Sequence, residues 1–280
     1  MKNFNFFMPT QIFHGNHIVA SQKQALWAMG QRPLIVTGAH SAQKSGALRD
    51  VTAVLKEKGL EYHVFSEIEP NPSIANVDAG ASVARAFEPD FIIAIGGGSP
   101  LDGAKAIAAL VTNDMPAEDV LSAEYPNRPL PMAAIPTTAG TGSEVTPYSV
   151  LTIPEKETKQ GFGHPSLFPQ LAFLDPRYTE SLPLAVTVDT AVDALSHLVE
   201  GYLTPMANDA SDILALAGMK LWSQCLPALQ IGEAALDLRV RDDLLVASTL
   251  GGMTISHTKT AFVHALGYPL TYYHGIPHGQ

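Results

Sequence analysis

The sequence predicts an α/β fold followed by an all-helical one, and three observations carry that prediction. Short β-branched runs alternate with amphipathic helical stretches through the first half. Glycine-rich or hydroxyl-rich segments stand directly after the apolar runs, and strand signals largely disappear after about residue 184. Strand–helix alternation at this spacing argues for a parallel sheet covered on both faces, with ligands beyond the carboxyl ends of its strands. The chain therefore divides into an α/β unit over 1–184 and a helical unit over 185–280.

Pro33–Thr37 reads as a buried strand ending at Gly38, and Ser45–Lys58 as a helix with apolar positions at Leu48, Val51, Val54 and Leu55. Gly59 supplies its C-terminal stop. Glu61–Phe65 alternates as a second strand, Glu69–Pro72 forms a turn, and Ile74–Phe87 is a second helix. Phe91–Ile95 is a wholly apolar strand running into Gly96–Gly98; Asp102–Val111 is alanine-rich and helical; Met132–Ile135 is a fourth strand. Beyond the boundary, Ala185–Tyr202, Asp209–Leu226 and Leu236–Ser256 read as helices, and Thr258–His264 as a helical run ending at His264. Pro269, Gly275 and Pro277 break the chain before His278.

With 46% hydrophobic and 16% charged residues the composition is that of a globular protein. The net charge of −10 comes without a basic stripe, which argues against a nucleic-acid partner. No segment reaches the ~18 apolar residues of a membrane span, and the first ten residues lack the pattern of a secretory signal, so the expected location is the cytoplasm. Cys225 is the only cysteine, which rules out an intramolecular disulfide and a thiolate metal cage; its apolar surroundings suggest a buried structural role.

Gly96-Gly97-Gly98-Ser99-Pro100-Leu101-Asp102 joins a strand to a helix. Its glycines allow close backbone approach to a ligand, and its N–H groups and helix start can hold an anion. Ser99 can donate to a phosphate oxygen or cap a helix whose first residue is Pro100. The spacing departs from both the common dinucleotide fingerprint and the P-loop, and a tight turn is the plain alternative. A second segment, Pro136–Glu144, follows another apolar strand with three threonines, a serine and two glycines. Two such loops on successive strand ends tilt the reading towards phosphate binding.

Asp193 and His197 stand one helical turn apart and can grip one ion, although an ordinary Asp–His pair has the same spacing. Asp189 and Glu200 lie near the same face, so spacing leaves the choice of carboxylate open. His264 and His278 follow, and a turn back of the chain would add them. Three imidazoles and a carboxylate suit a divalent cation such as Fe(II) or Zn(II) with an open position. Chance clustering among ten histidines is the alternative, and His14, His17, His40, His63 and His164 are read as surface or structural residues.

Taken together, the Gly96–Asp102 loop, Pro136–Glu144, Asp193–Glu200 (DALSHLVE) and His264 through Pro277-His278-Gly279 resemble the iron-dependent (group III) alcohol dehydrogenase family in order and spacing. The resemblance runs from Gln11–Gly15 to the last residue. It implies a Rossmann-like nucleotide-binding domain before an all-α metal-binding domain, the dehydroquinate synthase-like architecture, with a cleft between them and the helical domain incomplete at Gln280. It implies hydride transfer between NAD or NADP and a small alcohol or aldehyde, in a homodimer. It makes Asp193, His197, His264 and His278 the metal ligands, and Gly97, Gly98, Ser99, Asp102, Thr137, Thr138, Thr141, Lys159 and Asn71 the cofactor contacts. Gly38 stands where many NAD-preferring members carry an aspartate, which makes NADP(H) plausible. Tyr268 stands where many have a further histidine, leaving Tyr268 or His274 for any proton relay. Glycerol-type dehydrogenases share the architecture, and nucleotide binding without catalysis is the non-enzymatic alternative.

Overall fold

The computed structural model describes residues 3–280. Strand β1 (Gln11–His14) leads into the short helices α1 (Ile18–Ser21) and α2 (Lys23–Trp27). Then come β2 (Pro33–Gly38), α3 (Ser41–Lys44), α4 (Ala47–Lys58), β3 (His63–Ile68), α5 (Ile74–Phe87), β4 (Phe91–Gly96), α6 (Gly98–Thr112) and β5 (Met132–Pro136). A hairpin of β6 (Tyr148–Ile153) and β7 (Thr158–Gly163) precedes β8 (Leu171–Leu174). Helices α7 (Leu184–Leu203), α8 (Asp209–Ile231), α9 (Leu238–Thr258) and α10 (Phe262–His274) complete the chain.

The main sheet has the order β1-β8-β5-β4-β2-β3, and every neighbouring pair is parallel. Because side chains alternate along a strand, β4 feeds two cores at once. Ile92 and Ala94 join Val77, Ala81 and Ile107 of α5 and α6 on one face. Phe91, Ile93 and Ile95 join Val51, Val54 and Leu55 of α4 on the other. This is the parallel, doubly covered sheet that the unbroken apolar runs require. The four strands expected from the sequence are all present.

Several elements differ from expectation. β3 lies two residues further along, because Phe65 and Ile68 are its buried positions. α6 starts at Gly98, so Ser99 and Pro100 lie inside its first turn and the N-cap is Gly97, without a side-chain cap. Strands β1 and β8 span four residues each, too short to register as patterns, and their pairing with each other comes from the assembled sheet. α8 runs through Pro227 and α10 through Pro269; each proline removes one backbone donor without ending its helix. His264 lies near the start of α10, not the end of a helical run, since α9 stops at Thr258 and the chain turns at Lys259 with φ 60°.

Helices α7, α8 and α9 form the helical half around Ala191, Trp222, Cys225, Leu244 and Leu245. Trp222 Nε1 donates to Ala191 O at 2.6 Å, and Cys225 is buried as expected, with its thiol pushed up to about 11 by burial and by Asp243. No helix among the described residues is long and apolar enough to cross a membrane.

The two halves meet backbone to backbone. Gly142, with φ 60°, lies in the loop after β5, and a Cβ there would come within 2.5 Å of Gly252 Cα on α9. A Cβ on Gly252 would in turn meet Gly142 O at 2.5 Å. Only a glycine pair allows this approach. Gly252→Ala is expected to cost about 1–3 kcal/mol through overpacking, read as a lowered urea midpoint. Gly267→Ala, where a Cβ meets nothing within 4 Å, should be neutral or slightly stabilising. Equal midpoints for the two variants would contradict the contact.

Candidate active site

Helix α7 supplies three polar side chains to one buried face. Asp193, His197 and Glu200 are all at most 6% exposed on a helix whose other buried residues are apolar or glycine, apart from Thr187. Buried ionisable groups need partners, and here the partners come from α10 and the last turn of the chain. His264 Nε2, His278 Nε2 and His197 Nε2 lie 3.5, 3.6 and 3.7 Å from Asp193 Oδ1. The His264 and His197 Nε2 atoms are 2.8 Å apart.

The far sides of two rings fix which nitrogen carries the proton. His264 Nδ1 lies 2.7 Å from Glu200 Oε2, and His197 Nδ1 lies 3.3 Å from Gly140 O. Both partners only accept when the carboxylate is ionised, so both Nδ1 atoms donate and both Nε2 lone pairs face inward. Glu200 also accepts from the backbone N–H groups of Ala261 and Val263, tying the start of α10 to α7. His278 arrives after the chain leaves α10 at Gly275, whose φ of 64° ends the helix, and Gly279, at φ 99°, continues the turn beyond it. A Cβ on Gly279 would sit 2.3 Å from Asp189 O, so glycine alone lets the terminal turn press against α7.

The electrostatics follow from burial and proximity. Burial pushes Asp193 up, but the surrounding imidazoles, His197 first, outweigh it and bring the carboxyl down to about 2. Burial brings His197 down to about 4, against the pull of Asp193, so its imidazole is neutral at pH 7. His278 is lowered chiefly by burial as well. For His264 burial acts downward, but its hydrogen bonds and charges from Asp193 and Glu200 win and raise it. Converging lone pairs on neutral rings around an ionised carboxylate repel one another unless a proton or a cation lies between them. That donor set fits a divalent cation, with the Glu200–His264 pair in the orienting position common at metal sites. Asp193, His264 and His278 by themselves present ligand atoms within 4.8 Å of one another. Of the carboxylates that spacing left open, Asp193 faces the imidazoles and Asp189 contributes no atom to this group.

A cavity of about 810 Å³ joins this cluster to the ends of the sheet strands. Asn71, Gly98, Ser99, Asp102, Thr141 and Lys159 line it together with Asp193, His197, His264 and His278. Asn71, at φ 56°, donates its N–H to Ser99 Oγ at 3.0 Å and accepts from Lys159 Nζ at 2.8 Å. Ser99 thus receives a loop rather than capping a helix. Gly97 and Thr138 lie behind the wall, where a Cβ on Gly97 would touch Thr138 at 3.1 Å and one on Gly98 would touch Thr141 at 2.8 Å. The two strand-end loops therefore pack against each other through these glycines. Thr137 is buried, and its Oγ1 has no hydrogen-bond partner among the described residues. An unpartnered hydroxyl beside a glycine-lined cradle fits a phosphate-bearing ligand. Gly38 closes β2 outside the cavity lining, against Ile68 O and Pro100. Of the two relay candidates, Tyr268 lines the cavity and His274 does not; burial pushes the Tyr268 hydroxyl up to about 12. His164, read as surface or structural, also lines the cavity.

Lys105 is the residue sequence reasoning missed. It is fully buried in α6 and donates to Ser143 Oγ and Tyr148 O, each at 2.6 Å, with Asp102 Oδ1 at 3.7 Å. Ser143 Oγ donates to Asp102 Oδ1 at 2.6 Å, and Val150 N–H donates to Asp102 Oδ2 at 2.9 Å. Burial lowers Lys105 to about 8 and raises Asp102, with their mutual attraction opposing both. The available signal was a lone lysine amid Gly103–Val111, an otherwise apolar helical run.

Comparison with known proteins accords with this geometry. The iron-containing alcohol dehydrogenase model matches residues 9–176, and the model of the Fe-containing alcohol dehydrogenase C-terminal region matches residues 187–280. An iron-containing alcohol dehydrogenase from Thermotoga maritima superposes with a TM-score of 0.93 at 45% identity, covering 99% of this chain and 76% of that one. Sulfoacetaldehyde reductase from Bifidobacterium kashiwanohense, solved with NAD+, gives a TM-score of 0.91 at 33% identity over 100% of this chain and 74% of that one. Alcohol dehydrogenase 4 of Schizosaccharomyces pombe is 32% identical over 98% of this chain, which spans 65% of that protein's length. A parallel α/β half with glycine-rich strand ends, docked on a helical half bearing a carboxylate–imidazole cluster, is the class that fold and site define. The chain belongs to the iron-containing alcohol dehydrogenase family.

Lys105→Met keeps the volume and removes the charge, leaving Asp102 and Ser143 short of a buried partner. The expected loss is about 3 kcal/mol of stability, measured by urea unfolding. A loss below about 0.5 kcal/mol would show that the ammonium is not what joins α6 to the loop after β5.

Proposed function

We propose that the protein is a metal-dependent alcohol dehydrogenase or aldehyde reductase that moves hydride between NAD(P)(H) and a small alcohol or aldehyde. One observation carries the reading: Asp193 Oδ1 and three imidazole Nε2 atoms converge in the same cavity as two glycine-rich strand ends. Asp193, His197, His264 and His278 hold a divalent cation, Fe(II) or Zn(II). Glu200 keeps His264 in the tautomer that presents Nε2. Gly98, Ser99 and Thr141 receive the nucleotide phosphates, with Asn71 and Lys159 at the same wall and Gly97, Thr137 and Thr138 behind them. When bound, the cation supplies a Lewis acid for the substrate oxygen and the nicotinamide supplies or accepts the hydride. The chain's own contribution is to hold both in one cavity and to limit water there.

The absence of a carboxylate at Gly38 supports acceptance of a 2′-phosphate, and hence of NADPH as well as NADH. Tyr268 lines the cavity with a hydroxyl that stays protonated at neutral pH, a hydrogen-bond donor facing the reaction space.

The test is NADPH and NADH oxidation by the zinc- or iron-loaded protein against a panel of small aldehydes, with metal content measured in parallel. His264→Ala should lose metal and turnover together, and full turnover in a metal-free preparation would sink the reading. Glu200→Gln should weaken metal binding about 10–100-fold while the fold survives. Unchanged affinity would remove Glu200 from the site.

A further inference from the structure

The cavity has a second wall that neither the cation nor the nucleotide uses. Residues 3–10 form neither helix nor strand, and they cross from β1 to the end of α9. Thr10 Oγ1 donates to Pro169 O at 2.6 Å, which anchors the segment beside β8. Further along, the Phe6 ring stacks on His257 at 4.2 Å and 4°, and Phe7 meets Phe168 edge to face at 6.1 Å. Phe7, Phe162, Phe168 and Ile255 then line the same cavity as Asp193 and its imidazoles.

His257 is built to hold this segment. Its Nδ1 lies 2.9 Å from Met253 O, a group that only accepts, so Nδ1 carries the proton. Nε2 is left with a lone pair, and it accepts the Phe7 backbone N–H at 3.0 Å. One imidazole thus fixes Phe7 by a hydrogen bond and Phe6 by stacking. Its own position on α9 comes seven residues before His264.

We propose that Phe7 is a specificity-determining residue and His257 the positioning residue that pins it. Together they close the cavity with an aromatic wall that receives the apolar tail of an unbranched substrate. The inference rests on the reading above only in placing the substrate oxygen at the Asp193 cluster. Phe7, Phe162, Phe168 and Ile255 give this tail an apolar surface to cover, while Tyr148, His164 and Ser256 bring polar groups to other parts of the same cavity.

The test measures binding rather than turnover. Dissociation constants for n-alkanols from ethanol to octanol are measured by calorimetry on the zinc- and NADPH-loaded protein, whose reduced cofactor cannot oxidise the alcohol. Each added methylene should tighten binding about fourfold, the value for burying a CH₂ group, until the chain outgrows the cavity. In Phe7→Ala the increment should fall to about twofold or less from the fourth carbon on, as the area covered per methylene is roughly halved. Phe7→Leu should restore most of it. His257→Ala should reproduce the Phe7→Ala slope, because losing the anchor frees the wall. A merely structural loss would weaken all alkanols by one factor and leave the slope unchanged. A flat series in the unaltered protein, no alkanol binding, or an identical slope in Phe7→Ala would each overturn the proposal. Alkanol binding with the expected slope but no aldehyde reduction would instead count against the proposed activity alone.

Discussion

A buried carboxylate organises this molecule. Asp193 lies 4% exposed in the middle of α7, where an isolated negative charge would be untenable. Its neighbours are three imidazoles, one from its own helix, one from α10 and one from the last turn of the chain. To bring them there, α9 must stop at Thr258, the chain must turn through Lys259, and Gly279 must pass within contact of the α7 backbone. Glu200 repeats the principle one level out, holding both His264 and the N–H groups at the start of α10. The path of the final twenty residues is thus governed by the polar face of a helix laid down long before them.

The same face couples the helical half to the sheet. His197 donates to Gly140 O, and Glu144 accepts from Thr249 at 2.8 Å, so the loop after β5 is bound to α7 and α9 at once. Gly142 and Gly252 allow these bonds by letting two backbones meet directly. From the sheet side, Lys105 and Asp102 hold Ser143 and the hairpin strand β6. The loop after β5 is therefore clamped between a buried ammonium and the imidazole cluster. Its position relative to that cluster is set by these packing contacts.

Much of the sheet was readable because its strands are buried on both faces. Runs such as Phe91–Ile95 admit few alternatives, and Gly96–Gly98 marks the strand end without ambiguity. Helices α7, α8 and α9 were likewise visible from their periodicity to within a few residues, apart from the end of α8. Helix α10 was not, because Pro269 reads as a break and the turn at Lys259 leaves no local signal. The hairpin β6–β7 and the edge strand β1 were not, because short strands acquire their meaning from partners far away in sequence. Lys105 escaped notice for a related reason: a lysine in an alanine-rich helix looks solvated until Ser143 and Tyr148 are known to surround it.

By itself the sequence determined the alternation of strand and helix, the two glycine-rich strand ends and the candidate ligands Asp193, His197, His264 and His278. The first two are local matters of periodicity and backbone freedom, which spacing expresses directly; the ligand set came from the family resemblance, since spacing left Asp189, Asp193 and Glu200 open. Only the tertiary structure decided that Glu200 orients His264 while Asp193 faces the other rings. It alone placed Tyr268 in the cavity with His274 outside, and brought Phe7 to His257 across 250 residues. Such choices depend on which surfaces the folded chain presses together, and residues far apart in the chain carry no periodic signal of meeting.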